Sequence, residues 1–404
     1  MKSLTLQRNV QFLYEEQLAR IEAQAMGCGV WDRDADNPWK VSLDTNGAEE
    51  DLLNRSAYVG TLDGEETVYA QMIRPRYQGG EFNRTRSVNQ YLTHWIYPYQ
   101  GKFHPQMVRA LLNIVGAQPG SLVLDPYVGS GTTALEASLL GMRCIGTDLS
   151  PLCVLLARVK VCSTEALEQI RKHVNSLLEN EELDPHDAST AIHTDDRVAD
   201  FLQIARMVAL SDESRRRRNS SASFRKNLKA MLTSVQAHAE ALSRFRITPG
   251  EVSISIGDAR KLDDIGIKNG TIDAVVTSPP YSIALDYVRN DKHALEALDA
   301  DLPTLRKHMT GVRGRGAKEK LALYNRDMQQ MFREVSRVLK PGARAAFVIG
   351  NATVDRLEYT TTEQMSEWAE EAGLELEREI PKIVFGLYNL MKDEKILIFQ
   401  KRSA

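Results

Sequence analysis

Ser278, Pro279, Pro280 and Tyr281 form a stretch that could hold a flat ring bearing an amino group. They follow residues 272–276, an apolar run with β-branched side chains that predicts a buried strand. Prolines cannot donate to a strand ladder, so the strand should end here with its carbonyls held rigidly. The Ser278 hydroxyl and a proline carbonyl can accept hydrogen bonds from an NH2 group, while Tyr281 can stack on the ring. A strand that simply ends in a proline-rich turn would have the same sequence.

A second stretch combines small residues with the start of a helix. Gly129, Gly131 and Ala134 have the spacing G-x-G-x-x-A and follow residues 121–124, another predicted buried strand. Such a loop lets a ligand approach the backbone at a helix N-terminus, where free N–H groups favour an anionic group. Asp148 ends the next predicted strand about twenty residues later, the spacing of an acid that accepts ribose hydroxyls. Together these features predict a site for a nucleoside cofactor.

Both stretches must be positioned by a sheet. Strands alternate with amphipathic helices, a pattern typical of an α/β fold whose ligands bind beyond the carboxyl ends of the strands. We predict a Rossmann-like fold with about seven strands in a mixed sheet, a terminal antiparallel hairpin and a helical insertion. Before this region, residues 4–24 predict a helix and residues 26–80 a loop-rich cap. The predicted strands are 121–124, 143–147, 251–256, 272–276, 343–350, 375–380 and 395–401, and the main helices 106–117, 132–140, 152–162, 165–180, 224–245, 325–339 and 362–372.

The charge of the chain is local rather than global. The 404 residues carry a formal net charge of −3, so no overall basic field points to a nucleic-acid partner. Two segments are basic: Arg215, Arg216, Arg217 and Arg218 begin a run of seven bases with no acid, and residues 306–320 alternate glycines with bases. Each could be a mobile loop that contacts phosphates, or only a solvated charge run.

The cysteines and the hydropathy of the sequence indicate the cellular compartment. The four cysteines include no CxxC pair, so we expect reduced thiols and no metal site. The sequence shows neither a signal-peptide core nor an apolar run of about 18 residues, so we expect a cytoplasmic protein without a membrane segment.

The combined motifs resemble those of S-adenosyl-L-methionine-dependent amino-methyltransferases, most of all the DNA methyltransferases that act on the exocyclic N4 amine of cytosine. The resemblance covers about 95–160 and 250–402. It implies a class I methyltransferase fold, in which 91–160 and 249–404 form the catalytic domain, 1–90 a cap region and 161–248 a helical insertion. The segments that carry it are 102–105, 125–133, 277–281 and 339–342.

The resemblance also implies roles for individual residues. Gly129, Gly131 and Thr132 would hold the methionine part of the cofactor, Asp148 the ribose hydroxyls and Asp258 the adenine amine, while the 102–105 segment would close the methionine end. Ser278 and the Pro279 carbonyl would accept from the target NH2 group, and Tyr281 would stack on the extruded base. The candidate catalytic residues are Ser278, Pro279, Pro280 and Tyr281, and the candidate cofactor-binding residues are Lys102, His104, Asp125, Tyr127, Gly129, Gly131, Thr132, Asp148, Leu149, Asp258 and Ala259.

The resemblance is compatible with more than one target base. Adenine N6 in DNA is close behind cytosine N4, and an RNA base is a third alternative. Related DNA enzymes carry a target-recognition region either between the 257–258 turn and residue 278, where this sequence has only a short gap, or after the last strand, with which this sequence ends. Recognition would then fall to 163–248, to the first 90 residues or to 282–320. DNA is the expected partner, with a restriction endonuclease as a second partner. From other classes, a nicotinamide-binding oxidoreductase and a non-catalytic nucleic-acid-binding module also fit single motifs.

Overall fold

A computed structural model of the protein describes residues 1–74, 88–99, 101–179, 195–216, 219–280, 285–354, 357–359, 361–385 and 391–403. Residues 1–74 form an antiparallel sheet with strand order β2-β3-β1-β4-β5 and three helices. The strands are β1 Lys2–Leu6, β2 Trp31–Arg33, β3 Lys40–Leu43, β4 Val59–Leu62 and β5 Glu65–Glu66, and the helices are α1 Leu13–Ala25, α2 Glu49–Arg55 and α3 Val68–Ile73.

This N-terminal sheet corrects two predictions. The predicted helix at 4–24 is wrong over its first part, because β1 occupies Lys2–Leu6 and the helix begins only at Leu13. The loop-rich cap predicted for 26–80 contains four strands and two helices within its described part. These four strands have two to four residues each, too short for a period-two pattern to stand out from the polar residues around them.

The rest of the chain forms a larger α/β unit. Among the described residues, seven strands make one sheet with the order β13-β14-β10-β9-β6-β7-β8. The sheet strands are β6 Leu122–Asp125, β7 Arg143–Asp148, β8 Val252–Ile256, β9 Ile272–Thr277, β10 Leu339–Gly350, β13 Leu374–Phe385 and β14 Met391–Lys401, and a separate hairpin pairs β11 Ala352–Val354 with β12 Leu357–Tyr359. The helices are α4 Pro105–Ile114, α5 Thr132–Leu139, α6 Pro151–Cys162, α7 Leu167–Glu179, α8 Asp196–Arg216, α9 Ser220–Arg244, α10 Tyr287–Asn290, α11 Lys292–Glu296, α12 Leu302–His308, α13 Gly316–Val338 and α14 Thr361–Glu371.

The strand order confirms the predicted fold class. Strands β6 to β10 run parallel, whereas β14 is antiparallel to both of its neighbours and forms the predicted hairpin with β13. Strand β6 pairs with β7 on one side and with β9 on the other, so the chain reverses its direction of travel across the sheet at β6. In a Rossmann-like sheet the crevice at such a reversal is where ligands bind.

The segment 306–320, interpreted as a mobile loop, is helical at both of its ends. Helix α12 begins after Asp301, whose side chain accepts from the Thr304 N–H at 3.1 Å, and α13 begins at Gly316 rather than at 325. Only residues 309–315 connect the two helices, with Gly311 and Gly314 at positive φ. The glycines suggested a flexible loop, but they serve tight turns between helices.

Candidate active site

A cavity lies at the carboxyl ends of β6, β7 and β9, with an empty volume of about 910 Å³ including its opening to solvent. It brings together the glycine loop and the Ser-Pro-Pro stretch, because these follow the adjacent strands β6 and β9. Ten of the fifteen predicted site residues line it: Asp125, Tyr127, Gly129, Thr132, Asp148, Leu149, Asp258, Ala259, Ser278 and Pro280.

Asp125 joins the two motifs. Its carboxylate accepts a hydrogen bond from the Thr277 hydroxyl at 2.6 Å and from the Tyr127 backbone N–H at 3.1 Å. Complete burial raises the pKa of Asp125 to about 6, although these hydrogen bonds act in the opposite direction. The carboxylate therefore fixes the end of β9 against the start of the glycine loop.

Asp148 holds the glycine loop from the neighbouring strand. Its two oxygens accept from the backbone N–H groups of Gly129 at 3.1 Å and Ser150 at 2.9 Å. Burial raises the pKa of Asp148, while the same hydrogen bonds oppose that change. A carboxylate oxygen has more than one lone pair, so each oxygen can still accept from a hydroxyl in the cavity.

Ser278 is oriented by the strand beside it. Its hydroxyl donates to the Val348 carbonyl of β10 at 3.1 Å. A serine hydroxyl has one proton, so once that proton is donated the oxygen can act only as an acceptor toward the cavity. The Tyr324 hydroxyl of α13 donates to the Pro280 carbonyl at 2.8 Å and fixes the next peptide. Tyr281 lies outside the described residues, and Pro279 is not on the cavity wall.

Gly131 has a packing position rather than a place on the cavity wall. It adopts φ 81° before α5, and a Cβ there would lie 2.6 Å from the Ala157 Cα of α6. Glycine at this position therefore allows two helices to approach closely. The glycine of this loop that does line the cavity is Gly129.

In the 102–105 segment, the two residues predicted to bind the cofactor, Lys102 and His104, do not line the cavity. The Lys102 ammonium turns away and donates to the backbone carbonyls of His94, at 2.9 Å, and Asn89. His104 precedes α4, and burial lowers its pKa to about 3. Neither side chain lines the cavity, whereas the adjacent Phe103 does.

Several cavity residues were not predicted. Tyr99 lies in the aromatic run at 91–99 and accepts a hydrogen bond from the Cys153 thiol at 3.3 Å. The density of aromatic residues in that run was a signal, but it is equally typical of core packing. Ser130, in the glycine loop, has a buried hydroxyl for which the described residues supply no hydrogen-bond partner. Met309 and Thr310 complete the wall and carried no signal in the sequence.

Asp258 is part of an ion-pair network behind the cavity. Its carboxylate receives the Arg260 guanidinium in a bidentate arrangement, at 2.8 and 2.6 Å. Burial would raise the pKa of Asp258, but the hydrogen bonds from Arg260 keep it below its ordinary value. Asp258 is therefore a charged acceptor at the cavity.

The fold and the cavity define a Rossmann-like protein with a ligand site at the reversal of its sheet. A family model described as RMKL-like, methyltransferase domain, matches residues 96–340, and the chain belongs to this methyltransferase family. A second model, described as DNA methylase, matches residues 30–158.

Individual relatives match shorter segments. The Type II methyltransferase M.MjaII of Methanocaldococcus jannaschii is 41% identical over 81 residues, which are 20% of this chain and 14% of that protein. M.BsoBI of Geobacillus stearothermophilus is 32% identical over 103 residues, 26% of this chain and 18% of that protein. A tRNA (guanine(10)-N2)-dimethyltransferase of Methanothermobacter thermautotrophicus is 37% identical over 51 residues, 13% of this chain and 15% of that protein. The matched segments thus span less than a fifth of these relatives.

Among solved structures, TrmN from Thermus thermophilus aligns with 85% of this chain and 56% of its own, at 14% identity and a TM-score of 0.34. None of the helices in the described part of the chain has the length and apolar character needed to cross a membrane.

Proposed function

We propose that this protein methylates the exocyclic amine of a nucleic-acid base, with the N4 amine of cytosine in DNA as the target. The observation that carries this proposal is the cavity shared by the glycine loop and Ser278. For a methyl group to pass directly from a bound cofactor to a bound amine, the two must be held next to each other. A cofactor site and a hydrogen-bond acceptor for the amine on adjacent strands meet this requirement.

S-adenosyl-L-methionine is the methyl donor, and it supplies a methyl group activated by a positively charged sulfur. The described residues fit this cofactor. The Asp148 carboxylate can accept from ribose hydroxyls, Asp258 can accept from an adenine amine, and the unsatisfied Ser130 hydroxyl lies in the wall where a polar ligand would satisfy it. The Gly129 loop precedes α5, whose N-terminus favours a carboxylate.

The chain's own residues would prepare the amine for attack. The lone pair of an exocyclic amine is delocalised into its ring, so the amine is a weak nucleophile. A Ser278 oxygen that can only accept would hold an N–H of the amine and turn it out of the ring plane. The rigid support from Val348 and Tyr324 keeps the acceptors in place without reorganisation.

A basic rim beside the cavity supports a nucleic-acid substrate. We define the basic rim as residues 306–326, which carry seven Lys or Arg and one acid, and which include the cavity residues Met309 and Thr310. Residues 1–74 carry seven Lys or Arg against thirteen Asp or Glu, a poor surface for phosphates. Target recognition is therefore assigned to the basic rim, with the 215–218 arginines as a second contact. Of these arginines, Arg217 and Arg218 lie outside the described residues.

We propose further that the protein acts in the cytoplasm as a modification enzyme paired with a restriction endonuclease. Adenine N6 in DNA is the alternative within the same chemistry. A guanine amine in RNA is favoured by one specific observation, since tRNA guanine-N2 methyltransferases are among the similar proteins.

Nucleoside analysis tests the assignment. DNA and RNA from cells that express the protein would be digested and compared by mass spectrometry with cells that express Asp148→Ala. We expect N4-methylcytosine in DNA only with the unaltered protein. N6-methyladenine, or N2-methylguanine in RNA, would reassign the base, and no new methylated base in either nucleic acid would contradict the proposal. A melting-temperature shift with NADH but not with S-adenosylhomocysteine would favour an oxidoreductase instead.

A further inference from the structure

Arg260 joins the cofactor side of the cavity to the basic rim. It follows β8 two residues after Asp258, and its side chain is 8% exposed. The guanidinium donates to both Asp258 oxygens, to Asp327 of α13 at 2.8 Å and to the His308 carbonyl at 2.8 Å. All three of its nitrogens therefore have acceptors, and these acceptors come from three separate parts of the chain.

Asp327 extends the connection on the rim side. It is 1% exposed, and its carboxylate accepts from Arg260 and from both the Nε, at 3.1 Å, and a terminal nitrogen of Arg313. Arg313 and His308 flank Met309 and Thr310, which line the cavity together with Asp258. The network thus holds the turn 308–313 to the end of β8.

The type of side chain matters for this arrangement. A guanidinium is planar and presents five donors in a fixed fork, so it can serve a bidentate carboxylate, a second carboxylate and a carbonyl together. A lysine ammonium would keep the charge but could not match this geometry. Burial by itself would lower the pKa of Arg260, but its hydrogen bonds to Asp258 and Asp327 raise it, so the group remains charged.

We infer that Arg260 is a positioning residue that couples occupation of the cofactor end of the cavity to the placement of the basic rim. The inference rests on the proposed function, which supplies the two ligands. A ligand that orders Asp258 would order Arg260, and Arg260 would then fix the 308–313 turn, on either side of which Lys307 and Arg315 are exposed. Because such coupling is reciprocal, nucleic acid bound to the rim would tighten the cofactor site by the same factor.

Hydrogen exchange of the whole protein tests this coupling without methyl transfer. We expect saturating S-adenosylhomocysteine to slow amide exchange in 308–313 by about tenfold in the unaltered protein and by less than about threefold in Arg260→Lys, a range set by typical coupling between sites. Asp327→Asn, which retains the shape of the carboxylate but loses its charge, should show the same reduction. Arg337→Lys is the matched control, because Arg337 makes a similar fork with Glu334 away from the cavity.

Steady-state kinetics gives a second measurement. We expect Arg260→Lys to raise the KM for an oligonucleotide duplex about tenfold while kcat changes by less than about threefold, as for a defect in positioning before the chemical step. Unchanged protection of 308–313 in the unaltered protein, or equal protection in Arg260→Lys and Arg337→Lys, would overturn the inference even if the enzyme is active. Protection that depends on Arg260, in a protein that methylates no nucleic acid, would instead reject only the proposed function.

Discussion

Ser278 is the residue on which the proposed chemistry depends most directly. The Ser278 hydroxyl donates its proton to the Val348 carbonyl, so its oxygen faces the cavity as an acceptor. Replacing Ser278 by alanine removes this acceptor and leaves the backbone intact. We expect Ser278→Ala to lower kcat roughly 100-fold, the usual effect of removing one preorganised polar group. Affinity for S-adenosylhomocysteine, measured by calorimetry, should be unchanged. Ser253→Ala on the exposed face of β8 is the control, and equal losses of kcat and cofactor affinity in Ser278→Ala would refute the assigned role.

Asp125 should make stability depend on pH. Its pKa is raised from 3.8 to about 6, so the folded state binds a proton more tightly than the unfolded state does. Its contribution is therefore favourable at low pH and is lost as pH rises from about 4 through about 6, by at most about 3 kcal/mol.

The variant Asp125→Asn retains an acceptor for Thr277 and cannot ionise. Urea unfolding should show Asp125→Asn gaining stability relative to the unaltered protein as pH is raised from about 4 to about 7, across the interval in which Asp125 ionises. The exposed Asp32→Asn gives the baseline for charge removal. A difference between the Asp125 variant and the unaltered protein that does not change with pH would contradict this account of the buried carboxyl.

At the scale of elements, the packing of α5 against α6 depends on one glycine. Gly131 and Gly120 both have positive φ, 81° and 86°, but of the two only Gly131 would bring a Cβ into collision with another helix. Both alanine variants carry the cost of a left-handed backbone, and Gly131→Ala adds overpacking worth about 1–3 kcal/mol. Thermal unfolding should therefore show a larger loss of stability for Gly131→Ala than for Gly120→Ala, and equal losses would show that the helices can separate.

Under the proposed function there are two candidate nucleic-acid surfaces, the basic rim and the run of bases that continues from Arg215 into α9. Exposed bases on each allow a direct comparison. Lys307→Gln combined with Lys318→Gln should weaken oligonucleotide binding, and the slope of log affinity against log salt should fall by about one for each phosphate that is no longer bound. The matched pair is Lys226→Gln with Lys229→Gln, also exposed. Fluorescence anisotropy at several salt concentrations separates the two surfaces. A larger effect of the α9 pair would move the recognition surface to the helical insertion.

The sequence predicted those elements whose residues carry a strong periodic signal. Residues 272–276 are mostly apolar with three β-branched side chains, and β9, the central strand of the sheet, extends only one residue beyond them, to Thr277. The alternation of Leu4 and Leu6 in β1 covers too few residues to be distinguished from a helix start. The 308–313 turn could not be predicted from local sequence, because it is held by hydrogen bonds to residues distant in the sequence. Arg260 donates to the His308 carbonyl, and Arg313 donates to Asp327.

For the candidate site, the sequence predicted where residues lie along the sheet but not where their side chains point. Residues that follow sheet strands could be placed at one edge from the order of elements alone, as Asp148 and Ser278 were. The directions of side chains could not, because they depend on neighbours. Lys102 points to the His94 carbonyl and Arg260 bridges three segments, and neither interaction has a local signature.

At the scale of the whole molecule, the N-terminal sheet and the larger sheet share a core. All ten residues of α4 are buried, and one continuous apolar cluster extends from Leu4 of β1 to Ile398 of β14. Polar contacts cross the same boundary, since Asn9 donates to Gln106 at 2.5 Å and Arg109 donates to the Arg55 carbonyl at 2.9 Å. Residues 1–74 thus pack directly against α4, and we expect the two units to unfold together.

A substitution at Glu22 tests whether the two units unfold together. It is fully buried on α1, and its carboxylate accepts from Asn113 of α4 at 2.8 Å, from the Ala57 N–H at 2.9 Å and from the Ser56 hydroxyl at 3.1 Å. Glu22→Ala would leave several buried donors unsatisfied, so we expect a loss of roughly 3 kcal/mol in urea unfolding. Fluorescence and circular dichroism should still report one coincident transition, while Glu50→Ala on exposed α2 surface should change little. Two separated transitions in the unaltered protein would show that residues 1–74 form an independent module, because a shared core around α4 requires both sheets to lose their packing in the same event.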